Sequence, residues 1–269
     1  MKRIGLYLSG LFLSVVCLTS CMEGGNVWEG IVFGVVDFKV MQPIVKTSSG
    51  DLYSSSLNSM IKEGDVSIGD CIALYIRIDS DLPENSTSAV ESYGYRTVTI
   101  LQHGKIPRYS LNSYLTDTTR LLIKEVPVVK GFNDFADFVA GNFFMSQVVN
   151  IPEDWVLDWN MSYDAATMMP TEEGGKRYYD LYLRATVSKQ GEKNTKIDRE
   201  LTTAFTIGGY LSSVANIEKS YLGSNYNNAS KFTLRFNFIS SIDETTNAIT
   251  WKSNQIDIDV AAFLSNTYY

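Results

Sequence analysis

The stretch Lys231–Ser240, KFTLRFNFIS, alternates strictly between polar and apolar side chains. Its apolar positions are Phe232, Leu234, Phe236 and Phe238. Its polar positions are Lys231, Thr233, Arg235 and Asn237. Successive side chains of a β-strand point to opposite faces, so a two-residue period is typical of a strand with one dry and one wet face. The stretch therefore predicts an antiparallel strand that covers a hydrophobic core.

The same alternation occurs several times before residue 126. The clearest cases are residues 30–40, 69–79 and 95–103, and a polar turn in residues 47–53 leads into a short return strand. In the first of these strands the apolar face consists of Val32, Val36, Phe38 and Val40. Four or five amphipathic strands are enough for a small barrel. We therefore expect an OB-like β-barrel in residues 28–126.

The second half of the chain has the same character. Residues 155–164, 178–189 and 254–260 alternate, whereas residues 209–222 have helical spacing and predict a short connecting helix. In residues 178–189 the expected inward positions are Tyr179, Leu181, Leu183, Ala185 and Val187, and the expected outward positions include Asp180, Arg184 and Thr186. Pro127 and Gly131 mark a break before this half. The predicted fold class is all-β, with the barrel followed by an antiparallel β-sandwich in residues 127–269.

The N-terminus has the form of a targeting segment. Two basic residues precede the apolar run of residues 4–18, which is shorter than the roughly 20 residues that a membrane-spanning helix needs. The following Leu18-Thr19-Ser20-Cys21 resembles the bacterial lipobox. That resemblance implies a signal peptide in residues 1–20, a lipid on Cys21 and a short tether in residues 21–27. Double acylation anchors a protein stably, so we expect an outer-membrane lipoprotein, on a face that the single nearby acid, Glu23, does not decide.

The charge argues against one class of partner, and the cysteine content argues against a disulfide. The net charge of −7 falls to −9 if Lys2 and Arg3 leave with the signal peptide, and the basic residues are scattered. Nucleic-acid binding needs clustered Lys and Arg, so no nucleic acid is expected as a partner. After loss of Cys17 and lipidation of Cys21, Cys71 is the one remaining thiol, which excludes an intramolecular disulfide. Its place in an alternating strand indicates packing rather than catalysis.

Few residues suit catalysis. The single histidine, His103, precludes a histidine metal cluster, and its place near a strand end indicates a surface residue beside a turn. No Gly-x-Ser-x-Gly elbow accompanies it. Two carboxylate pairs could in principle hydrolyse a glycoside, but acids at this spacing are usual on the wet face of a strand: Asp154 with Asp158, and Asp257 with Asp259. We expect no enzyme, no catalytic residue, no metal and no cofactor.

Three loops carry weaker signals. The acidic loop in residues 79–86 lacks the spacing and glycine of a calcium-binding loop, so we expect it to be solvated. Residues 172–177, EEGGKR, predict a hairpin turn rather than a phosphate loop. The triplet Asp117-Thr118-Thr119 resembles a short O-glycosylation signal of Bacteroidota, and chance matches to three residues are frequent.

The lipobox, a first strand containing GVVDF and the later stretch GDCIALYIRID are similar to the NigD-like lipoproteins of Bacteroidota. This resemblance implies an OB-like barrel followed by a β-sandwich over nearly the whole mature chain. It implies no reaction and transfers no catalytic residue.

These observations favour a non-catalytic envelope lipoprotein, expected to be a monomer, that binds an envelope protein or a glycan. One alternative is a carbohydrate-binding lipoprotein for glycan uptake, which needs exposed, coplanar rings from among Trp155, Trp159, Tyr178 and Tyr182. Another is a fimbrial or adhesin subunit, which needs a strand that can be exchanged.

Overall fold

The computed structural model describes residues 26–132 and 136–264. The predicted signal peptide, the lipidation site Cys21 and most of the tether lie outside these residues. The chain divides into two compact units, and the second begins at Arg108. The short segment Asp137–Ala140 groups with the first unit. Both units are built mainly of strands, which confirms the predicted all-β fold class, a barrel plus a sandwich.

The first unit is an OB-like barrel. Its elements are β1 (Val27–Lys39), β2 (Gln42–Thr47), β3 (Gly50–Tyr53), α1 (Ser55–Glu63), β4 (Cys71–Asp79), α2 (Thr87–Tyr93), β5 (Arg96–Thr97) and β6 (Thr99–Lys105). The strand order is β5-β3-β2-β1-β4-β6. Because only Val98 separates β5 from β6, the two ends of this order are pieces of one interrupted strand. The sheet thus closes into the five-stranded arrangement of an OB-fold.

The core of the barrel lies under the middle of β1. Val36 is buried with residues of the neighbouring strands and α1: Val45, Leu52, Leu57, Ile72, Leu74 and Ile76. The predicted apolar face of β1 is wrong at its end, because Phe38 and Val40 are exposed. There β1 has passed the core and turns into β2 through Val40 and Met41. The alternating sequence pattern therefore extends past the end of the core, and its last two apolar residues are not buried.

The second unit is a β-sandwich. The elements from Arg108 onward are β7 (Arg108–Asn112), β8 (Glu125–Val126), β9 (Val128–Lys130), β10 (Ala136–Val139), β11 (Asn142–Pro152), β12 (Val156–Ser162), β13 (Thr171–Glu173), β14 (Lys176–Lys189), β15 (Lys196–Thr206), α3 (Gly208–Leu222), β16 (Lys231–Ile242), β17 (Ile249–Asp259) and α4 (Val260–Leu264). The main strand order is β11-β15-β7-β12-β14-β16-β17. The Phe143 ring of β11 stacks on the Phe236 ring of β16 at 4.8 Å between centroids. The sheet therefore folds over on itself around an aromatic core.

The opening stretch lies in β16, and its four predicted apolar positions are all buried. The predicted pairing is only half right. β16 is antiparallel to β17 but parallel to β14. The chain reaches β16 through the predicted helix, α3, which buries Leu211, Val214 and Ala215. A connection through a helix allows parallel pairing, whereas a short hairpin would have forced antiparallel pairing.

The division between the units falls at Pro107/Arg108, ahead of the sequence-based boundary after residue 126. Two short strands explain the difference. β7 pairs with β12 and β15, and β8 pairs with β14, so residues 108–126 contribute to the sandwich sheet. Pairing partners more than thirty residues distant along the chain cannot be read from local alternation.

None of the helices in residues 26–132 and 136–264 is both long and apolar enough to cross a bilayer.

Candidate functional site

The carboxylate Asp154 fastens a neighbouring loop. One of its oxygens accepts the backbone N–H groups of Glu192 and Lys193 at 2.6 and 3.0 Å. The N–H of Lys193, followed by that of Glu192, holds the pKa of Asp154 below its usual range. A Cβ on Gly191 would collide with this carboxyl group, so any larger residue there would require Asp154 to shift. Its predicted partner Asp158 lies exposed on β12. Asp154 thus has a structural role.

The second acidic pair belongs to the surface of the β16–β17 ladder. The Thr233 hydroxyl donates to Asp257 at 2.7 Å, and Lys231 Nζ lies 3.6 Å from Asp259. Each acid bonds to the residue directly opposite it in the antiparallel register. These are cross-strand pairs of a wet face.

The remaining catalytic candidates also lie within strands. His103 is half-buried inside β6, opposite Leu74, and does not flank a turn as the sequence suggested. Cys71 is the first residue of β4 and is buried, which agrees with the predicted packing role.

The acidic loop after β4 is organised by Asn85. The buried Asn85 amide donates to the carbonyl oxygens of Asp79 and Thr97, and its own oxygen accepts the Thr97 N–H. Over the described residues, no group of three His, Cys, Asp or Glu side chains is placed to hold a metal ion. The EEGGKR stretch forms the predicted hairpin turn, with positive φ at both Gly174 and Gly175.

The aromatic residues predicted for sugar binding form no exposed platform. Trp159 and Tyr178 are buried, and Trp155 and Tyr182 are half-buried. The Tyr182 ring meets the edge of Trp251 at an interplanar angle of 88°. These rings pack within the sandwich, as the apolar-face prediction for the tryptophans implied.

A cleft of about 500 Å³ lies between α3 and the β13–β14 hairpin, lined by Met169, Arg177, Asn216, Ile217, Ser220 and Tyr221. Its one cation is already engaged. Arg177 pairs with Glu218 and Glu172, each at 3.0 Å, and its guanidinium lies 3.5 Å from the centre of the Tyr221 ring. The cleft therefore offers an incoming anion no unpaired charge.

A different surface stands out in the first unit. The β1–β2 turn consists of Val40 and Met41, which are 90% and 94% exposed. Both have positive φ, at 47° and 68°. A two-residue hairpin turn with both φ values positive normally contains Asn-Gly, and a β-branched residue is strained there. Two large apolar side chains thus protrude from a turn that favours small polar ones.

Three tyrosines lie beside this turn. The Tyr93 ring is 54% exposed and is stacked on Tyr95, with centroids 5.6 Å apart and planes 15° apart. Tyr95 in turn contacts Tyr53 of β3 at 5.1 Å. Burial raises the pKa of Tyr95 above its usual value, and the neighbouring Tyr53 and Tyr93 raise it further. Tyr95 therefore stays a neutral phenol. The rings form a short stack with Tyr93 outermost.

Two side chains hold the turn and the tyrosines together. Lys39 Nζ donates to the carbonyl of Gly94 at 2.7 Å and pairs with Asp51 at 2.8 Å. The Tyr95 hydroxyl donates to Gln42 Oε1 at 3.1 Å. We call this surface the turn face, comprising Lys39, Val40, Met41, Gln42, Asp51, Tyr53, Tyr93 and Tyr95. Sequence reasoning missed it because its parts come from three separate segments; the Val-Met pair between two strands was the only local signal.

The comparisons with known proteins agree with this architecture. Residues 24–104 match the family model of the lipoprotein OB domain. None of the curated proteins compared with the chain matches it.

Several solved structures share the fold. An uncharacterised protein from Parabacteroides merdae is 18% identical, with 86% of this chain and 99% of that chain covered and a TM-score of 0.69. A candidate lipoprotein from Bacteroides fragilis is 12% identical, with 86% and 98% covered and a TM-score of 0.51. A protein described as toxin-related from Parabacteroides distasonis is 10% identical, with 90% and 98% covered and a TM-score of 0.52. Residues 24–104 are therefore similar to the lipoprotein OB domain, and the chain as a whole shares its fold with proteins from Parabacteroides and Bacteroides.

Proposed function

We propose that this protein is a non-catalytic envelope lipoprotein, anchored through Cys21, that binds a ligand on the turn face. The observation that carries the proposal is the exposed, strained Val40-Met41 turn beside the tyrosine stack. Residues in unfavourable backbone regions cost on the order of 1–3 kcal/mol each and cluster at functional sites. Exposed apolar patches on soluble units mark interaction sites.

The position of the turn face suits a tethered protein. The tether enters at Val27, and β1 then runs thirteen residues before the turn begins after Lys39. At about 3.3 Å per residue, β1 carries the turn up to roughly 40 Å along the chain from the tether. An anchor at Cys21 would therefore present the turn face on the far end of β1 from the lipid.

The cellular placement belongs to the same proposal. The lipoprotein OB domain in residues 24–104 supports a membrane-anchored envelope protein. The proposal goes further in three respects. The protein is a NigD-like lipoprotein, its signal peptide is cleaved after Ser20, and it resides in the outer membrane. A role without catalysis is supported by the hydrogen bonds of Asp154 and Asp257 and by the ion pair of Asp259, which are ordinary loop and ladder contacts.

Site-specific photocrosslinking in the native envelope tests the proposal. A benzophenone amino acid replaces Met41 in the full-length lipoprotein, and in a matched control it replaces Ile123, which is 89% exposed in the second unit. We expect a discrete adduct from position 41 after irradiation of intact cells, and none of the same mobility from position 123. No adduct from position 41, or the same adduct from both positions, would overturn the proposed binding role of the turn face.

A further inference from the structure

We infer that the ligand of the turn face is an uncharged oligosaccharide, one of whose sugar rings stacks on Tyr93. This inference rests on the proposed function and adds the chemical class of the ligand. Three independent features support it: the place of the turn face in the OB-fold, the geometry of the ring stack and the local balance of charge.

The first feature is location. OB-folds bind oligosaccharides or oligonucleotides on strands 2 and 3 and on the loops that join strands 1 to 2 and 4 to 5. Val40 and Met41 join β1 to β2, and Tyr93 and Tyr95 lie in the connection from β4 to β5. The Lys39–Gly94 hydrogen bond brings these two connections together. This location is shared by analogy with other OB-folds, and the side chains of the turn face determine which ligand fits there.

The second feature is an aromatic ring prepared for stacking. Tyr95 covers one face of Tyr93 with nearly parallel planes, while 54% of Tyr93 remains exposed. The C–H groups of a pyranose ring pack on such a face, since the face of an aromatic ring is electron-rich. Tyr53 in turn contacts Tyr95, with ring centroids 5.1 Å apart. A ring held in place before binding loses little conformational freedom when the sugar arrives.

The third feature is charge. The one cation in the turn face, Lys39, is neutralised by Asp51 at 2.8 Å. The chain carries a net charge of −7. A phosphate backbone or a sulfated glycan would find no unpaired cation here and would be repelled by the overall charge. Hydroxyl groups of a neutral sugar, by contrast, can both donate to Asp51 and Gln42 and accept from Lys39.

Binding of defined oligosaccharides to the purified full-length lipoprotein tests this inference. The protein is held in a polyoxyethylene detergent, because sugar-headed detergents would compete. Maltohexaose, xylohexaose, cellohexaose and mannohexaose are titrated by calorimetry, with a heparin hexasaccharide and an oligothymidylate as charged probes. We expect at least one neutral hexasaccharide to bind and both charged probes to fail.

Three variants then locate the site. Tyr93→Ala should weaken binding of the neutral sugar about ten-fold or more, which is of the order found when a ring that stacks on a nucleic-acid base is removed. Tyr93→Phe keeps the ring and should bind within about three-fold of the original chain, since the stacking surface persists. Tyr114→Ala, at a tyrosine 82% exposed in the second unit, is the matched control and should bind normally. Circular dichroism confirms that each variant is folded.

The outcomes separate the two proposals. Binding of a charged probe alone, or neutral-sugar binding that Tyr93→Ala leaves intact, would overturn the oligosaccharide inference. If no neutral sugar binds but position 41 gives a discrete crosslink, the ligand class is overturned and the binding role of the turn face stands. If no neutral sugar binds and position 41 gives no crosslinked adduct, both proposals are overturned.

Discussion

Arg184 and Glu125 form a buried, two-point ion pair, with Nε to Oε1 at 2.5 Å and Nη2 to Oε2 at 2.6 Å. The two residues are 59 positions apart, and both side chains are almost completely buried. Arg184 also donates to the carbonyl oxygens of Asp117 and Arg120. The pair therefore fastens the segment between β7 and β8 onto β14. The predicted outward position of Arg184 is wrong, because this segment covers it.

Removal of one partner from this pair should strongly destabilise the second unit. Arg184→Met leaves the Glu125 carboxylate buried without its counter-charge, and breaking such pairs costs about 3–5 kcal/mol. Urea unfolding followed by tryptophan fluorescence reports the loss, since Trp155, Trp159 and Trp251 lie in the second unit.

Two comparisons check the interpretation. The exposed pair of Lys231 and Asp259 should matter little, so Lys231→Met is the control. The double change Arg184→Met with Glu125→Leu should regain part of the lost stability, because no charge stays buried. A double variant as unstable as the single one would contradict this account.

The second unit should lose stability in acid partly through Asp180. Burial raises the pKa of this carboxyl group, but hydrogen bonds from Arg235, Asn237 and Thr171 outweigh it and leave the pKa below its usual value. A depressed folded-state pKa stabilises the fold above the unfolded value of about 3.9. That contribution is lost as the pH falls below about 4 and through the folded-state pKa.

Asp180→Asn should therefore lose less stability than the original chain between pH 7 and pH 3. Urea is the suitable denaturant, because a salt would screen the ion pair with Arg235. Asp158→Asn, at an exposed carboxyl group of β12, is the matched control and should keep the original pH dependence. An unchanged slope for Asp180→Asn would show that other carboxyl groups dominate.

The turn face should carry stored strain that a better turn sequence relieves. Val40→Asn with Met41→Gly supplies the residues that favour positive φ at both turn positions. We expect the first unit to gain about 1 kcal/mol, measured as slower hydrogen exchange of β1 and β2 amides. The same change should also weaken ligand binding to the purified protein, a common cost of stabilising a binding site. Faster exchange in β1 would show that Val40 and Met41 stabilise the fold instead.

Membrane attachment should depend on Cys21, which lies outside the described residues. Cys21→Ser removes the thiol that would receive the lipid, so the protein should leave the membrane pellet and incorporate no labelled palmitate. Cys17→Ser, within the preceding apolar run, should change neither measurement. Labelled palmitate on the Cys21→Ser protein would contradict the lipobox prediction.

Much of the architecture could be predicted because it has a local signature. Alternation located β16 and β14, and helical spacing located α3 between them. The Gly174-Gly175 turn could also be predicted from the sequence, since two adjacent glycines suit two positive φ values. These features depend on residues that are neighbours along the chain.

Other features required contacts between distant segments. The parallel pairing of β14 with β16, the burial of Arg184 beneath the segment that contains Asp117, and the turn face had no local pattern. Alternation says which side chains share a face of one strand, but not whether another segment later covers that face. Arg184 therefore read as an outward residue, and Phe38 as an inward one.

By itself, the sequence determined the strand-rich class and the two-part organisation, and it predicts lipid attachment at Cys21, because periodicity and a contiguous motif are properties of adjacent residues. The tertiary structure alone decided where the units divide, which polar groups are buried and which apolar groups remain exposed. Those outcomes depend on which distant segments pack together, as when Lys39 reaches Gly94 and joins Val40 and Met41 to the tyrosine stack.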